Sequence, residues 1–368
     1  MDEARKVRIG LVGLGFGAEF IPIYQDHPHA EVAAICQRDR VALDRCGDRF
    51  GIRVRYTDFR EMLEDPTIDA IHINTPVALH AEQSLASLRA GKHTACTIPM
   101  AITVEACRAV VAAQRTSGKN YMMMETTVYT REFLYVKGLV ESGALGAIQF
   151  LRGSHLQDME AWPGYWEGFP PIVHATHAVG PLLSLAGTTA ESVVCLGSGR
   201  IRDELSIKYG SPFAVESTLI RLRDSNLAAE VTRSMFETAR EYVESFDVYG
   251  SRLSFEWQRT ASGRPVVFRG EEGEPVDVPD VAALLPEGIR RYTTHSLYEG
   301  PESHLSFKQG SGHGGSHPHL AHEFVMSIVE DRPPAVDAAT AANWSCTGVC
   351  AHESAMRGGE KVSVPVFN

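Results

Sequence analysis

Residues 7 to 20 read Val7-Arg8-Ile9-Gly10-Leu11-Val12-Gly13-Leu14-Gly15-Phe16-Gly17-Ala18-Glu19-Phe20, and this stretch decides the fold. A short apolar run rich in β-branched residues passes straight into glycines. That is the pattern of a buried parallel strand, a tight turn and a helix. Gly13 is placed to make the turn, and Gly15 to let a pyrophosphate approach the backbone. Ala18 stands where a third small residue lets the helix pack close on the strand, while Gly17, beside Phe16, is an extra glycine within the turn. The helix start aims free N–H groups at phosphates. A glycine pattern of this kind also fits an ordinary strand-turn-helix. A second strand-like run, Glu31 to Cys36, follows at the right distance and turns the reading to dinucleotide binding.

Strand and helix patterns then alternate through residue 126. Helices are expected at Ala42 to Phe50, Phe59 to Leu63, from His80 to Ala90, and at Val104 to Ser117. Strands are expected at Ala70 to Asn74, His93 to Thr97 and Asn120 to Glu125. Such repetition with short connections means a parallel sheet wound on both faces, with ligands bound past the carboxyl ends of its strands. Those ends carry Gly13, Gln37, Thr75, Thr97 and Glu125. After a helix over 131–143 the pattern changes to strand-like runs: Ile148 to Gly153, Ser192 to Gly197, Ser217 to Arg221, Leu227 to Arg233, Glu244 to Tyr249 and Leu253 to Trp257. Residues 261–316, rich in Gly, Pro and Ser, read as a long surface excursion. Helices at His319 to Val329 and Ala338 to Met356 and a strand at Lys361 to Val366 complete the chain. The expected fold is therefore α/β: an N-terminal Rossmann doubly wound parallel sheet over residues 1–126, and a C-terminal α+β domain with a large open, mainly antiparallel sheet over 127–368.

The length of 368 residues fits two domains. The net charge of −11, with no basic run, argues against a nucleic-acid partner. No apolar stretch approaches the ~18 residues of a membrane helix, and the N-terminal residues leave no room for a signal peptide, so a cytoplasmic location is expected. Seven scattered cysteines without a CxxC pair read as reduced thiols filling the core.

At this point the chain resembles the Gfo/Idh/MocA oxidoreductases, the glucose-fructose oxidoreductase and inositol dehydrogenase family. The resemblance is carried over nearly the whole length by Gly13-x-Gly15-x-x-Ala18, Tyr56-Thr57-Asp58 with Met62-Leu63, Asn74-Thr75-Pro76 with His80, Ala90-Gly91-Lys92-His93, Gly143-x-Leu145-Gly146 and Val248-Tyr249-Gly250. It implies NAD or NADP, a sugar, polyol or glycoside substrate, and a homo-oligomer built on the open sheet. It places Gly13, Gly15, Phe16, Gly17, Gln37, Arg38, Asn74, Thr75, Pro76, His80, Thr97, Ile98, Pro99 and Glu125 at the cofactor.

The chain also departs from the family's pattern. Where these relatives usually have Glu-Lys-Pro, with the lysine near the hydride-transfer centre, it has Thr97-Ile98-Pro99. Where they have an Asp four residues before a His, it has Val173 and His177, with His174 between. The second strand ends in Cys36-Gln37-Arg38 instead of an acidic residue for the ribose hydroxyls. Gln37 can still bond a ribose and Arg38 can take a 2′-phosphate, so NAD and NADP both stay open.

Without the lysine, the base for a hydroxyl proton must be another group. His177 is the first candidate, because an imidazole both takes and returns a proton near neutrality; a capping or core histidine is the alternative. His174, Tyr129 and Asp158 are further acid/base candidates, set against a surface turn residue, a packed tyrosine and an ordinary loop carboxylate. The stretch His155 to Trp166 interleaves aromatic faces with carboxylates, as sugar rings require. Trp162 and Tyr165 are read as substrate contacts and Trp166 as a face for the nicotinamide. In His313-Gly-Gly-Ser-His317-Pro-His319-Leu-Ala-His322, glycines and a proline interrupt the spacing of metal ligands, so no metal is assigned. His317 and His319 are instead read at a substrate-facing helix start behind Ser316. Arg131, Arg152, Arg233 and Lys308 are candidates for holding an anionic sugar, or ordinary surface cations.

Two activities fit. One is oxidation or reduction of a sugar, polyol or glycoside hydroxyl by NAD(P), with His in place of Lys. The other is NAD-dependent glycoside cleavage by transient oxidation, elimination, water addition and re-reduction. A dinucleotide or sugar sensor without catalysis is a third reading.

Overall fold

The computed structural model describes residues 6–158, 160, 167–294 and 313–367. Two compact units are present. The first comprises residues 1–100, 108–130 and 280–341, and the second residues 101–107, 131–279 and 342–368. Each is thus assembled from several segments.

The first unit is built on six parallel strands: β1 (Val7–Val12), β2 (Ala30–Cys36), β3 (Arg55–Tyr56), β4 (Ala70–Ile73), β5 (His93–Cys96) and β6 (Tyr121–Met123). Their order is β3-β2-β1-β4-β5-β6, the doubly wound arrangement of a Rossmann fold. The order reverses between β1 and β4, so the crevice past their carboxyl ends is the place for a ligand. The strands are short apolar runs because both faces are covered. Ile9, Leu11, Ile35, Ala95 and Met122 pack with Phe20, Ile21 and Tyr24 in one buried cluster. Asp39 caps the helix Arg40–Phe50 by accepting from the Ala42 amide at 3.0 Å, and Asp58 caps Phe59–Glu64 by accepting from Arg60 at 2.8 Å.

Two expectations need correction here. The helix after the glycine turn comes in three short pieces, Leu14–Gly17, a 3₁₀ turn Ala18–Phe20 and Ile21–Asp26, and Pro22 sits in the first turn of the last, where its missing N–H costs no helical bond. Nor is 261–316 a surface excursion throughout. Leu285, Ile289 and Tyr292 are buried in the core of the first unit beside Leu320, Phe324 and Val325 of the helix His317–Val329. Their i, i+4, i+7 spacing is hidden among Gly, Pro and charged neighbours. Residues 266–275 form a hairpin, described next, and 295–312 lie outside the described residues.

The second unit holds β7 (Ile148–Leu156), β8 (Ala190–Ser198), β9 (Val215–Leu222), β10 (Ala228–Ser234), β11 (Val243–Gly250), β12 (Ser254–Glu256), β13 (Val266–Arg269), β14 (Glu272–Pro275) and β15 (Val362–Ser363). They form one mixed sheet in the order β14-β13-β12-β11-β7-β10-β9-β8-β15. Every pairing is antiparallel except β7 with β10. Side chains alternate across the strands, so Leu151, Gly153 and His155 of β7, Ala229, Val231 and Arg233 of β10, and Glu244, Phe246 and Val248 of β11 share the buried face. The helix Thr176–Ala186 packs there. A Cβ on Gly153 would meet the Ala178 carbonyl oxygen at 2.5 Å, so glycine sets how closely helix and strand approach.

Candidate active site

The glycine turn of the first unit is a fitted cradle. Gly13 has φ +84°, a left-handed conformation, and a Cβ there would lie 2.4 Å from the Asn74 carbonyl oxygen. Its N–H donates to the Cys36 carbonyl at 3.1 Å, tying the ends of β1 and β2. A Cβ on Gly17 would run into the Asn74 side chain at 2.8 Å. Gly15 differs from both: it is exposed and a Cβ there would meet nothing within 4 Å. That open space against bare backbone is what a pyrophosphate needs, so the residues present fit a dinucleotide. Gln37 places its Oε1 3.0 Å from the Leu14 amide and accepts its hydrogen bond, which directs the side-chain NH₂ as the remaining donor. Arg38 is exposed beside it.

The ends of β4 and β5 are joined through His80. Its ring is buried, with Nδ1 2.8 Å from the Pro99 carbonyl oxygen and Nε2 2.8 Å from that of Thr75. Carbonyl oxygens only accept, so both nitrogens carry protons and the ring is an imidazolium. Burial pushes His80 down, but the Cys96 sulfur and the two carbonyls together outweigh it and raise the ring to about 9. Thr97 lies 3.3 Å from the same Nε2, and Thr75 donates to Gln83 at 2.5 Å. The Ile98–Pro99 peptide is cis and Ile98 is buried. Glu125 is buried and accepts from the amide and hydroxyl of Thr127 at 3.1 and 2.8 Å. Tyr129 is half-buried against the core, and burial raises its phenol far above its ordinary value. His319 is buried and lowered to about 4, first by burial and then by the nearby His322, with Asp280 opposing. His322 pairs with His27 at 2.9 Å.

The second unit gathers three histidines around one carboxylate. In register, His155 of β7 faces Arg233 of β10 on one side and Glu244 of β11 on the other. The helix Thr176–Ala186 and the turn before it bring His177 and His174 onto this row. The ring centroids of His155 and His177 are 5.2 Å apart, those of His174 and His177 5.7 Å, and those of His155 and His174 5.8 Å. Glu244 Oε1 is 3.3 Å from His177 Nε2 and 3.5 Å from His155 Nε2, and it accepts from the Tyr242 hydroxyl. The three imidazoles and the carboxylate of this centre are all buried. Burial, then the Arg233 charge, then His177 and His174 hold His155 well below its ordinary value. His155 is therefore held neutral.

Arg233, read from sequence as an anion binder or a surface cation, is not a surface cation. It is fully buried, and its guanidinium donates to the carbonyls of His155 and Ser234 at 2.9 and 2.6 Å and to Gln157 Oε1 at 2.8 Å. Burial lowers it to about 9, against the pull of Tyr242 and Glu244. Arg152 is exposed and pairs with Glu230 at 3.3 Å. Asp158 is exposed after β7 and accepts from the Glu160 amide at 3.0 Å. Trp162, Tyr165, Trp166 and Lys308 lie outside the described residues. Sequence reasoning missed Glu244, Tyr242 and the role of His155. The available signal was the period of two in β7 and β11, which places a histidine and a glutamate on faces otherwise filled by Leu, Phe and Val.

A six-stranded parallel sheet in this order, with an open glycine at the switch point, is the arrangement of a dinucleotide-binding Rossmann unit. Residues 7–125 match the oxidoreductase family with NAD-binding Rossmann fold, GFO_IDH_MocA. The match is confined to this N-terminal segment of the 368-residue chain. A glycosyl hydrolase family 109 protein of Shewanella baltica is 30% identical over 198 residues, which cover 48% of this chain. The match spans 43% of that relative's length, less than half. Glycosyl hydrolase family 109 protein 1 of Phocaeicola vulgatus is 22% identical over 401 residues, covering 98% of this chain and 84% of the relative. Among solved structures, an oxidoreductase from Agrobacterium radiobacter in complex with NAD+, L-tartaric acid and magnesium superposes with a TM-score of 0.80 at 19% identity, over 98% of both chains. Levoglucosan dehydrogenase in complex with NADH and levoglucosan superposes with a TM-score of 0.79 at 23% identity, over 98% of this chain and 100% of its own. These structural likenesses bear on the fold.

Proposed function

We propose that this chain is an NAD(P)-dependent oxidoreductase acting on a hydroxyl of a sugar, polyol or glycoside, with His177 in place of lysine as the acid/base. The observation that carries this reading is the buried contact of His177 Nε2 with Glu244 Oε1 at 3.3 Å. Held by that carboxylate, the neutral ring keeps its proton on Nε2 and its lone pair on Nδ1, the logic of a carboxylate-oriented imidazole in hydrolases. As the carbinol is oxidised, Nδ1 takes the hydroxyl proton, and Glu244 stabilises the imidazolium until the proton is returned. Tyr242, donating to the same oxygen, fixes the carboxylate. NAD or NADP, when bound, supplies the hydride acceptor. Gly13, Gly15, Gly17, Gln37, Arg38, Asn74, Thr75 and Pro76 are the residues that hold it, and His80 braces the strand ends. With no carboxylate at position 37 or 38, both cofactors are accommodated.

The histidine cluster also favours a second reading, redox-neutral glycoside cleavage, because elimination needs more than one acid/base group, and relatives named as glycosyl hydrolases are consistent with it. A single incubation separates the two. With candidate glycosides and substoichiometric NAD+, net reduced cofactor is the outcome expected of the dehydrogenase, and aglycone release without net reduction that of the glycosidase. Cofactor binding with neither outcome leaves the sensor.

We further propose a homo-oligomer. The outer face of the second sheet exposes Val194 and Leu219, paired across β8 and β9, and Leu196 beside them. A cytoplasmic location is proposed with it; no helix among the described residues is long and apolar enough to cross a membrane.

A further inference from the structure

Within the first unit, the helix His317–Val329 meets the end of the helix Ile21–Asp26 through a pair of imidazoles that the chemistry at His177 does not use. Of the histidines from 313 to 322, His313 and His317 contact each other at 3.1 Å beside Glu19 and Phe16, and His319 is buried. His322 turns instead to His27. Its Nδ1 lies 2.9 Å from His27 Nε2, with the ring centroids 5.2 Å apart. The sequence makes this meeting. His27 follows the helix with extended backbone, φ −75° and ψ +131°, because Pro28 disfavours helical geometry in the residue before it. Ile21 and Tyr24 share one buried cluster with Leu320, Ala321, Phe324 and Val325, a common core that sets His27 beside His322. His27 is buried and His322 half-buried.

The place of each proton follows from one backbone bond. The His29 amide donates to His27 Nδ1 at 3.1 Å. An N–H only donates, so Nδ1 carries the lone pair and the single proton of the neutral ring sits on Nε2. That proton points at His322 Nδ1, which accepts it only while unprotonated. A proton on His322 Nδ1 would set two N–H groups face to face, and a proton on His27 Nδ1 would displace the His29 amide. Two neutral rings therefore close the contact, and one proton on either opens it. We propose that His27 and His322 form a proton-sensitive latch, which fastens the helix His317–Val329 to the end of the helix Ile21–Asp26, just behind the cofactor turn, and releases it on acidification. The latch stands apart from the oxidoreductase reading and is the same whichever reaction the chain catalyses. His29 and Lys6 stand near His27, and His29, His319, Glu323, Glu330 and Arg332 near His322. Burial first, then His322, His29 and Lys6, hold His27 at about 3. Burial also lowers His322, opposed by Glu323 and Glu330 and helped by His29 and Arg332. The two carboxylates stand on the His322 side, so His322 takes the first proton. Both rings are held below the ordinary 6.5. The closed latch therefore contributes fully above pH 6.5, and its contribution is lost as pH falls from there toward about 3.

The test uses the full chain and no substrate. In ¹⁵N-histidine spectra at pH 7.5, His27 and His322 are both expected as neutral rings protonated on Nε2. Hydrogen exchange followed by mass spectrometry at pH 7.5 and 4.5, with each rate divided by its intrinsic rate at that pH, reports the latch itself. Protection over residues 21–29 and 317–329 is expected to fall by about 10-fold or more on acidification, while strands β4 and β5 keep theirs to within about twofold. His322→Asn puts a side-chain oxygen where Nδ1 stood, an acceptor for the His27 proton that does not titrate. In that variant the acid loss over both segments is expected to shrink to within about twofold. A His27 ring protonated on Nδ1 at pH 7.5 overturns the latch, as does unchanged wild-type protection at pH 4.5. Equal acid loss in wild type and variant overturns it too, and so does a loss shared equally by β4 and β5, which is global unfolding. The tautomer and the wild-type exchange are read without the variant, so they decide the proposal even where His322→Asn does not fold.

Discussion

His80 makes a prediction about stability that its geometry fixes in sign and size. Both of its nitrogens face carbonyl oxygens at 2.8 Å, and the ring is raised to about 9 from an ordinary 6.5. Each tenfold gain in proton affinity corresponds to about 1.4 kcal/mol, so the protonated ring contributes on the order of 3 kcal/mol to the folded state. Because the folded value is raised, that contribution is whole below pH 6.5 and is lost as pH climbs through about 9. The perturbation is His80→Gln, which keeps one N–H donor for one carbonyl and cannot titrate. Urea unfolding followed by far-UV circular dichroism at pH 6, 8 and 10 gives the stability gap between wild type and variant. Groups common to both proteins cancel in that gap. It is expected to be largest at pH 6 and to shrink by about 3 kcal/mol by pH 10. A gap independent of pH would refute the imidazolium, because a neutral ring can donate to only one of its two carbonyls.

The glycine turn separates two substitutions of the same chemistry. Gly13→Ala strains a φ of +84° and drives a Cβ into the Asn74 carbonyl, so it is expected to cost about 2 kcal/mol or more in thermal or urea unfolding. Gly15→Ala, with open space around it, is expected to unfold like the wild type yet to bind NAD at least about 10-fold more weakly by calorimetry, since its methyl stands where the pyrophosphate approaches. At the histidine cluster, His177→Gln is expected to lower kcat by about 100-fold or more while NAD affinity stays near wild type; unchanged turnover removes it as the base. Glu244→Gln, which leaves the imidazolium without its carboxylate, is expected to lower kcat by about 10-fold or more. Arg233→Met removes the guanidinium donors from the carbonyls of His155 and Ser234 and from the side-chain oxygen of Gln157 in the core, and is expected to cost about 3 kcal/mol of stability in urea unfolding.

What was legible in the sequence follows from how local each signal is. The Rossmann half is written in short-range patterns: an apolar run, a glycine that must adopt positive φ, a cap residue such as Asp39 or Asp58 opening the next helix. Each is satisfied within a dozen residues, so Gly13, Asn74, Thr75 and the His80 helix can be placed from the chain alone. The histidine centre is different, because its members meet only through the sheet. His155 and Glu244 are 89 positions apart and face each other solely because β7 and β11 pair in one register. A slip of one residue would turn both to the opposite face. Strand runs can be read, but not which strand lies beside which, and so His177 is found by its residue type while the carboxylate that tunes it is not. The same holds for Glu19, which reads as a helix residue next to the glycine turn and becomes a partner of His317 only when the chain returns some 300 residues later. Charged groups on an otherwise apolar strand face are the one local trace such centres leave. Burying Glu244 or Arg233 singly is expensive, so their presence at in-facing positions already requires a partner across the sheet. In a strand-rich region, an in-register acid or base therefore locates the chemistry more reliably than a cluster of like residues along the chain, where the histidines from 313 to 322 divide between a mutual contact beside Glu19, a core position and a pair with His27.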